Sequence, residues 1–429
     1  MSDPAQAKFN ALFGPEFGHG KPFDLTPLHA ALSALGDPQT KLPPVIHVAG
    51  TNGKGSTIAF LRAIAEAAGL SVHAFTKPHL LNLRERFRVA GKLASDEALI
   101  AAATRVAHAA PELTQFDAQI AVAFLLFSET PADLTLLETG LGGRDDSTNV
   151  IPNPAITVLT PIALDHQDVL GASLAEIATH KAGILKRGAP TIIARQAPEV
   201  LETIEAQAAR VGAPVYSAGA EWDAFAQAGR LIVQTETRAL DLPLPALIGA
   251  HQIDNAGLAC AVFLTSRLFA FDDDVFARGI AHARWPGRLQ AISSGPLKAL
   301  AGDAELWVDG GHNPHAAEAL TRALADLNRK RPARTALIIG MRARKDWRAF
   351  VETMAPSAAF IVAVPLGEEG ASPNDIAQAA RDCRAEALAA PDLQNAIGAA
   401  LANGAGRILI CGSLALAGVT LRASNLSVD

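Results

Sequence analysis

Residues 45–57 read Val-Ile-His-Val-Ala-Gly-Thr-Asn-Gly-Lys-Gly-Ser-Thr, and the rest of the chain is best interpreted outward from them. Val45–Ala49 has the apolar, β-branched pattern of a short buried strand. Ser56–Ala68 has the pattern of a helix that ends at Gly69. The glycines between them let the backbone curl so that its N–H groups face an anion, and the helix N-terminus adds a favourable dipole. The stretch therefore predicts a loop that binds phosphate groups.

The lysine and the hydroxyls of this loop point to a nucleotide. Lys54 places a charge on the terminal phosphates, and Ser56 supplies the hydroxyl on the Mg²⁺ side, with Thr57 as the alternative. The spacing before the lysine is shorter than in the common Walker pattern, and Gly55 stands where a hydroxyl usually follows. The competing interpretation is a glycine-rich turn that binds nothing. The predicted ATP contacts in the loop are Asn52, Gly53, Lys54, Gly55 and Ser56.

Strand and helix patterns alternate on both sides of the loop, which predicts a mainly parallel α/β sheet. Ser173 and Glu176 form a capping-box signature at the start of one of the helices. Between Trp222 and Leu244 the pattern changes to a small antiparallel excursion, and a helix follows from Gln252 to about Phe269. The other predicted strands are Val72–Phe75, Leu134–Glu138 and Ala155–Thr160, and the other helices are Phe116–Glu129 and Ser173–Lys186.

A second α/β unit is predicted after Trp285-Pro286-Gly287-Arg288. Its strands are expected at Leu306–Val308, Ala336–Ile339, Phe360–Val364 and Ile408–Ile410. A chain of 429 residues is also longer than one hydrophobic core usually serves. We therefore predict a P-loop ATPase domain with a mainly parallel sheet over residues 1–288. A smaller Rossmann-like α/β domain is predicted over residues 289–429.

The composition narrows the class of protein. Hydrophobic residues make up 49% and charged residues 19%, which is typical of a globular chain. The net charge of -6 argues against a nucleic-acid binder held by phosphate contacts. The three cysteines are widely spaced, which fits a reducing compartment and gives no disulfide framework. Met1–Asn10 lacks the apolar core of a signal peptide, and no apolar run reaches membrane length. We expect a cytoplasmic monomer without a nucleic-acid or membrane partner.

Several further motifs occur in an order and spacing that resemble one family. That family is the dihydrofolate synthase/folylpolyglutamate synthase family, the folate branch of the Mur ligase superfamily, and the resemblance covers nearly the whole chain. The motifs are His47-Val-Ala-Gly-Thr-Asn-Gly-Lys-Gly-Ser56, Glu138-Thr-Gly-Leu-Gly-Gly-Arg144, Asp165-His166, Lys181-Ala-Gly-Ile184, Gly249-Ala-His-Gln-Ile-Asp-Asn255, Trp285-Pro-Gly-Arg-Leu-Gln290, Asp309-Gly-Gly-His-Asn-Pro314 and Gly412-Ser-Leu414.

The resemblance implies an ATP-dependent amide ligase with Mg²⁺ as its metal. ATP would phosphorylate the carboxylate of dihydropteroate or a folate, and the amine of L-glutamate would attack the acyl phosphate. Phosphoryl transfer depends mainly on positioning and charge neutralisation, and an acyl phosphate needs protection from water. Residues 1–288 would then be the Mur-ligase-like ATP-binding domain, and residues 289–429 the glutamate-ligase domain.

The resemblance also implies roles for single residues. Glu138 and His166 would join Ser56 at the metal, although an acidic strand end and a lone histidine are often only structural. Lys181 by itself would be a solvated helix lysine, but similar enzymes carbamylate the equivalent lysine and so make it an anion that can serve a metal site. Lys54, Lys181 and His312 form the expected catalytic set.

The remaining predicted contacts concern nucleotide and substrate. Asn255 is expected on the base or ribose side and Arg288 at the phosphates, while Asp309 and His312 match nucleotide and amino-acid contacts. The alternative for these four residues is ordinary solvent-exposed polarity. By location alone, the pterin-side positions are Thr114, Asp145, Asp146 and Ser147.

Three positions depart from the family pattern. Lys77 stands where the family usually has a serine that helps to hold Mg²⁺, and a charged lysine has no lone pair to donate. Either Thr76 or water fills that place, or Lys77 itself contacts phosphate or reshapes the pterin side. Asp145 replaces a residue that is commonly apolar, and His180 replaces one that is commonly acidic.

Three hypotheses about function remain open on the sequence. The first is a bifunctional enzyme that adds glutamate to dihydropteroate and then to folates. The second is a ligase that acts on folates only, or a relative that acts on another acid. The third is a nucleotide-binding regulatory protein without turnover, which Lys77 favours and the retained Lys54, Glu138, His166 and Asp309 oppose.

Overall fold

The computed structural model describes residues 3–16, 24–266 and 268–428, and the chain divides into two compact units. The first unit is Met1–Ala246 with Ile253–Arg284, and the second is Leu247–Gln252 with Trp285–Asp429. The division thus follows Arg284, whereas the sequence placed it after Arg288. The short segment Leu247–Gln252, which precedes this boundary in the sequence, also belongs to the second unit.

An eight-stranded sheet forms the centre of the first unit. Its strands are β1 (Val45–Ala49), β2 (Val72–Phe75), β3 (Phe87–Val89), β4 (Lys92–Leu93), β5 (Leu134–Glu138), β6 (Ile156–Leu159), β7 (Thr191–Ile193) and β8 (Val215–Ser217). They lie in the order β4-β3-β2-β5-β1-β6-β7-β8. The pairs β2–β3 and β3–β4 are antiparallel, and the others are parallel. Every residue of β1 is buried, as expected for a central strand covered on both faces.

Helices cover both faces of this sheet. On one face Phe9 and Phe124 belong to a large apolar cluster with Phe75, and Ile177 and Ile204 belong to a second cluster on the same face, with Ala49 and Leu159 of the neighbouring strands. The helices of this part of the chain are α1 (Pro4–Phe13), α2 (Thr26–Ala34), α3 (Lys54–Ala67), α4 (Asp96–Ala109), α5 (Gln115–Glu129), α6 (Gln167–Leu170), α7 (Leu174–Lys181), α8 (Pro198–Val211), α9 (Ala250–Ser266) and α10 (Asp273–His282).

The predicted antiparallel excursion is a separate three-stranded sheet. Its strands β9 (Trp222–Gln227), β10 (Arg230–Thr235) and β11 (Ala239–Pro243) lie in the order β11-β10-β9. Both pairings are antiparallel. Leu231 and Val233 of the central strand are buried, while Arg230 and Gln234 are exposed, which is the alternation of a sheet covered on one face.

The second unit contains a six-stranded sheet with its own hydrophobic core. Its strands are β12 (Gln290–Ala291), β13 (Glu305–Val308), β14 (Thr335–Ile339), β15 (Phe360–Ala363), β16 (Ala387–Ala389) and β17 (Arg407–Cys411). The order is β12-β13-β17-β14-β15-β16, and only β12 pairs antiparallel. Its helices are α11 (Pro296–Ala301), α12 (Pro314–Lys330), α13 (Trp347–Met354), α14 (Pro373–Asp382), α15 (Leu393–Ala402) and α16 (Leu414–Ala423).

The predicted fold class is confirmed, and two predicted helices need correction. The helix expected over Ser173–Lys186 ends at Lys181, because a short 3₁₀ turn, Ala182–Ile184, follows it. Gly183 of that turn packs against the backbone of Arg144, which leaves no room for a side chain. The helix expected to reach Phe269 ends at Ser266, and Arg267 lies outside the described residues. In the described ranges, no helix combines the length and apolar character needed to cross a membrane.

Candidate functional site

Four neighbouring strands of the first unit bring the predicted site residues to one edge of the sheet. Val48 on β1 is in register with Glu138 on β5, and Ala49 is in register with Leu159 on β6. On the far side of β5, Phe75 of β2 pairs with Leu137. These strands are parallel, so the segments that follow them leave the sheet at the same edge. Ligands bind at this edge in open α/β sheets.

The phosphate loop has a conformation that requires glycine at two positions. Gly50 has a φ of 143°, and a Cβ there would collide with the side chain of Thr160. Gly53 has a φ of 90° and precedes the first residue of α3, Lys54. The backbone N–H groups of Thr51 and Asn52 both donate to the Pro161 carbonyl, at 3.0 and 3.3 Å. The loop is therefore fixed to the segment after β6.

Two lysines converge on the carbonyl oxygen of Gly50. Lys54 Nζ donates to it at 3.1 Å and to the Thr51 carbonyl at 3.3 Å. Lys181 Nζ donates to the same Gly50 oxygen at 2.8 Å, and its side chain is only 5% exposed. The interpretation of Lys181 as a solvated helix lysine is therefore wrong. Two of the three predicted catalytic residues lie together at the phosphate loop.

Glu138 and Ser56 are buried oxygen donors next to this loop. Glu138 ends β5, and its Oε2 accepts the backbone N–H of Lys77 at 3.1 Å. Ser56 lies in the first turn of α3. Carboxylate and hydroxyl oxygens are ligands that Mg²⁺ and Mn²⁺ take, so both residues fit a divalent cation.

His166 precedes α6 in a left-handed conformation, with a φ of 52°. Its Nε2 lies 3.9 Å from Asp165 Oδ1, and the side chain is 36% exposed. Among the described residues, no three His, Cys, Asp or Glu side chains cluster as a metal site would require. A cation at this edge would therefore depend on Ser56 and on nucleotide oxygens in addition to Glu138 and His166.

Asn255 lies against the phosphate loop. A Cβ on Gly53 would come within 2.5 Å of Asn255 Oδ1. The expected contact with the base or ribose of the nucleotide stays a prediction. The structure shows the Asn255 amide beside the part of the loop where α3 begins. Its position on α9 fixes it there, because the helix buries it to 4% exposure.

The predicted pterin-side residues Thr114 and Ser147 are connected by Asp117. Thr114 caps α5, and its hydroxyl donates to Asp117 Oδ2 at 2.5 Å. Ser147 Oγ donates to the other carboxylate oxygen, Oδ1, at 2.6 Å. Two of the four pterin-side predictions thus meet at one carboxylate.

Asp146 is buried at the end of a chain of hydrogen bonds that starts on β1. His47 Nε2 lies 2.8 Å from Thr148 Oγ1, and that hydroxyl donates to Asp146 Oδ1 at 2.5 Å. Because the hydroxyl gives its proton to Asp146, it accepts from His47, which places the imidazole proton on Nε2. Leu141 donates its backbone N–H to the second oxygen of Asp146 at 2.7 Å.

Burial shifts the pKa values of His47 and Asp146, the two titratable groups at the ends of this series of hydrogen bonds. Burial, assisted by the Lys186 charge, lowers the pKa of His47 to about 3, so the imidazole is neutral. Burial also raises the pKa of Asp146, while hydrogen bonds from Thr148 and Leu141 and the Lys77 charge oppose the rise. The carboxylate is held in a fixed orientation by groups that do not change charge near neutral pH.

Asp145 does not join the other pterin-side residues. It forms an ion pair with Arg144 at 2.9 Å, and its Oδ2 lies 3.7 Å from His180 Nδ1. Two departures from the family pattern, Asp145 and His180, are therefore neighbours. Burial and the Arg144 charge lower the pKa of His180, and the Asp145 carboxylate opposes them. His180 stands at the position that is commonly acidic in the family, and its partner Asp145 stands at the position that is commonly apolar.

Lys77 extends toward the pterin-side residues. Its ammonium lies 4.5 Å from the centroid of the Phe116 ring, and that ring lies against Gly140. Burial lowers the pKa of Lys77, while the charge of Glu16 opposes the shift. Thr76, the proposed substitute for the family serine, is buried, and its hydroxyl lies 3.5 Å from the Glu85 carbonyl.

In the second unit the carboxylate of Asp309 braces a turn after β13. Its Oδ1 accepts the Gly311 N–H at 2.6 Å, and its Oδ2 accepts the Leu289 N–H at 2.7 Å. His312 Nδ1 lies 3.0 Å from the Gly310 carbonyl, which fixes the ring. A Cβ on Gly310 would come within 2.6 Å of Arg288 Nη1. Three predicted residues, Arg288, Asp309 and His312, are thus gathered at this turn.

Several residues of these clusters were missed on the sequence. His47 lay inside a quoted motif, but nothing in the motif showed that it would pair with Thr148, which is 101 residues away. Asp117 could have been found as the third residue after the capping Thr114. Phe116 carried no signal beyond its aromatic side chain.

Two domain families match the chain. The Mur ligase middle domain matches residues 48–263, and the Mur ligase glutamate ligase domain matches residues 287–414. The dihydrofolate synthase/folylpolyglutamate synthase of Bacillus subtilis is 36% identical over 332 residues, which cover 73% of this chain and 74% of that protein.

Solved structures resemble the whole chain. The Escherichia coli FolC complex with DHPP and ADP has a TM-score of 0.87 at 30% identity, and covers 99% of this chain and 98% of its own. A bifunctional folylpolyglutamate synthase/dihydrofolate synthase with Mn, AMPPNP and L-glutamate bound has a TM-score of 0.83 at 30% identity. That match covers 95% of each chain.

Proposed function

The chain belongs to the Mur ligase family, in its dihydrofolate synthase/folylpolyglutamate synthase branch, and from this membership we propose that it joins L-glutamate to dihydropteroate and to folates at the expense of ATP. The observation that carries the proposal is the sheet edge where the phosphate loop, Glu138 and the Asp146 chain of hydrogen bonds meet. A phosphate site and a buried, oriented carboxylate side by side suit an enzyme that phosphorylates an acid.

The chemistry proceeds in two steps. An oxygen of the substrate carboxylate attacks the terminal phosphorus of ATP, the bond to ADP breaks, and an acyl phosphate forms. The amine of glutamate then attacks the acyl carbon, phosphate leaves, and the amine loses its proton as the amide forms. Both steps move negative charge at the phosphate loop. Positioning and fixed positive charge are therefore what the protein must supply.

The residues of the first unit match these tasks. The loop N–H groups and the Lys54 ammonium hold the phosphates, while Lys181 holds the loop at the Gly50 carbonyl. Glu138, Ser56 and His166 would hold a divalent cation, which would neutralise charge on the phosphate oxygens when bound. Asp146, Thr114 and Ser147 would orient the acid substrate. The side-chain amide of Asn255, which lies against Gly53, supports a contact with the nucleotide at this loop.

We assign the phosphate loop and acid binding to the first unit. In the second unit, Arg288 and Asp309 are the proposed further ATP contacts, and His312 is the proposed amino-acid contact. Arg288, Asp309 and His312 of the second unit fall in the part that matches the glutamate ligase domain. A reaction that consumes ATP also agrees with the expected cytoplasmic location. The second hypothesis, glutamate addition to folates alone, has the same machinery and differs only in the acids that are accepted.

A substrate panel tests the proposal. The purified chain is supplied with ATP, Mg²⁺ and L-glutamate, and with dihydropteroate, tetrahydrofolate or neither. ADP release and the glutamylated product are measured. We expect ADP release that requires both an acid and glutamate, with product from each acid.

The outcomes separate the three hypotheses. Product from tetrahydrofolate alone would restrict the enzyme to folates. ADP release without dependence on either substrate, or nucleotide binding with no turnover, would contradict the ligase and favour the regulatory protein.

A further inference from the structure

The backbone and the side chain of Lys77 contact different groups. Its backbone N–H donates to Glu138 Oε2 at 3.1 Å, while its ammonium lies 4.5 Å from the centroid of the Phe116 ring. In the part of the chain that the structure describes, the ammonium has no hydrogen bond or ion pair. The aromatic ring supplies only a weak attraction for the cation.

The carboxylates near this cation are engaged elsewhere. Glu16 accepts two hydrogen bonds from the guanidinium of Arg86, at 2.8 and 2.9 Å. Asp146 accepts hydrogen bonds from Thr148 and Leu141. A half-buried cation whose neighbours are already paired is stabilised most by an anion that arrives with a ligand.

The location of the ammonium indicates which anion this is. The ammonium lies over the ring of Phe116, two residues after Thr114 on the acid side, while the backbone of the same lysine is bonded to Glu138 next to the phosphate loop. Its charge also interacts with Asp146 and with Lys54. The function proposed above requires the reacting carboxylate to lie between those two places, because it must reach the terminal phosphate while the rest of the acid is held on the pterin side.

We propose that Lys77 binds the carboxylate of the acid substrate through its ammonium, and that it sets the preference of the enzyme for acids over their neutral analogues. This inference rests on the proposed function and deepens it. In this role the ammonium holds one carboxylate oxygen while the other attacks phosphorus, and no proton is transferred to or from Lys77. The serine common in the family could not supply this charge, so the role is specific to chains with lysine here.

Binding of an acid and its amide tests the inference. Titration calorimetry with ADP present compares dihydropteroate with the compound whose carboxylate is replaced by a carboxamide. The proteins are the natural chain, Lys77→Met, Lys77→Gln and Lys77→Arg. Lys8→Met is the control, because it removes another half-buried lysine of the same unit. Urea unfolding shows that each variant is folded.

The expected result is a selective loss. Lys77→Met and Lys77→Gln should weaken binding of the acid about tenfold or more, since a charge-assisted hydrogen bond contributes about 1.5–3 kcal/mol. Binding of the amide should change less than about twofold by the same reasoning. Lys77→Arg should keep most of the affinity for the acid, and Lys8→Met should change the affinity for neither compound.

Every other result overturns the inference. An equal loss for acid and amide would mean that Lys77 only shapes the pocket, and an equal gain would mean that it obstructs the pocket. An intact acid preference in Lys77→Met would sink this inference alone. If the natural chain binds neither compound, the proposed function falls as well.

Discussion

Lys54 is the residue on which the phosphate-loop assignment depends most directly. Its ammonium donates to the carbonyls of Gly50 and Thr51, so its charge already lies within the loop. The side chain is half-buried, and its removal opens no core cavity.

We predict that Lys54→Ala lowers turnover by about 10²–10³-fold, the usual cost of losing one preorganised transition-state donor. The free energy of unfolding should fall by about 1–3 kcal/mol at most, because two hydrogen bonds of about 0.5–1.5 kcal/mol each are lost. ADP release and urea unfolding of the same preparation measure both. Near-normal ligation by the folded variant would remove the phosphate loop from the mechanism.

His47 makes the stability of the first unit depend on pH. Its pKa is about 3 in the folded chain and near 6.5 when unfolded, so acid protonates the unfolded chain first. The neutral imidazole thus contributes stability that is present above pH 6.5 and is lost as the pH falls toward 3. Four other histidines, His73, His180, His251 and His315, also have lowered pKa values, so only a comparison isolates His47.

We predict that His47→Gln removes this part of the pH dependence. Between pH 7 and pH 5 the natural chain should lose about 2 kcal/mol more of its free energy of unfolding than the variant does. Glutamine keeps a donor for Thr148 but does not titrate. Urea unfolding at the two pH values measures the difference. Parallel losses in the two proteins would show that the imidazole is not neutral or not buried in solution.

At the level of elements, the loop between β1 and α3 depends on the backbone of Gly50. Its φ of 143° is open to glycine almost alone, and a Cβ would also meet Thr160. Gly188 offers a matched control. Its φ is also positive, at 74°, but nothing lies within 4 Å of a Cβ placed there.

We predict different results for the two alanine variants. Gly188→Ala should cost about 1–2 kcal/mol of stability, the strain of a left-handed alanine, and leave ADP affinity unchanged. Gly50→Ala should cost more than this and weaken ADP binding at least about tenfold, because the loop N–H groups are displaced. Calorimetric titration with ADP compares them. Normal ADP binding by Gly50→Ala would mean that the phosphates bind elsewhere.

The elements that the sequence predicted well are those whose conformation is determined by residues close to one another in the sequence. The loop after β1 follows from neighbouring residues, and the Ser173–Glu176 capping box is present, with the Glu176 N–H 3.3 Å from Ser173 Oγ. The contacts that it could not predict join distant segments. Arg86 and Glu16 are 70 residues apart, and Ser147 and Asp117 are 30 apart. Such pairs depend on strand order, which no local pattern specifies.

The whole molecule divides the proposed reaction between two units with separate cores. The first holds the phosphate loop, and the second holds the turn of Asp309 and His312. If the second unit supplies the amino-acid contacts, its variants should block the attack of glutamate on the acyl phosphate. Variants of the phosphate loop should already block formation of the acyl phosphate. Hydroxylamine distinguishes the two stages, since it attacks an acyl phosphate to give a hydroxamate and free phosphate.

We predict that His312→Ala raises the KM for glutamate by about tenfold or more, because one hydrogen bond to a charged group is lost. The KM for ATP should change by less than about twofold. With hydroxylamine in place of glutamate, His312→Ala should still form the hydroxamate, whereas Lys54→Ala should not. His315→Ala is the control, because it removes another half-buried histidine of the same unit. If His312→Ala also abolishes the hydroxamate, the second unit is needed for phosphoryl transfer itself, and the division of labour proposed here is wrong.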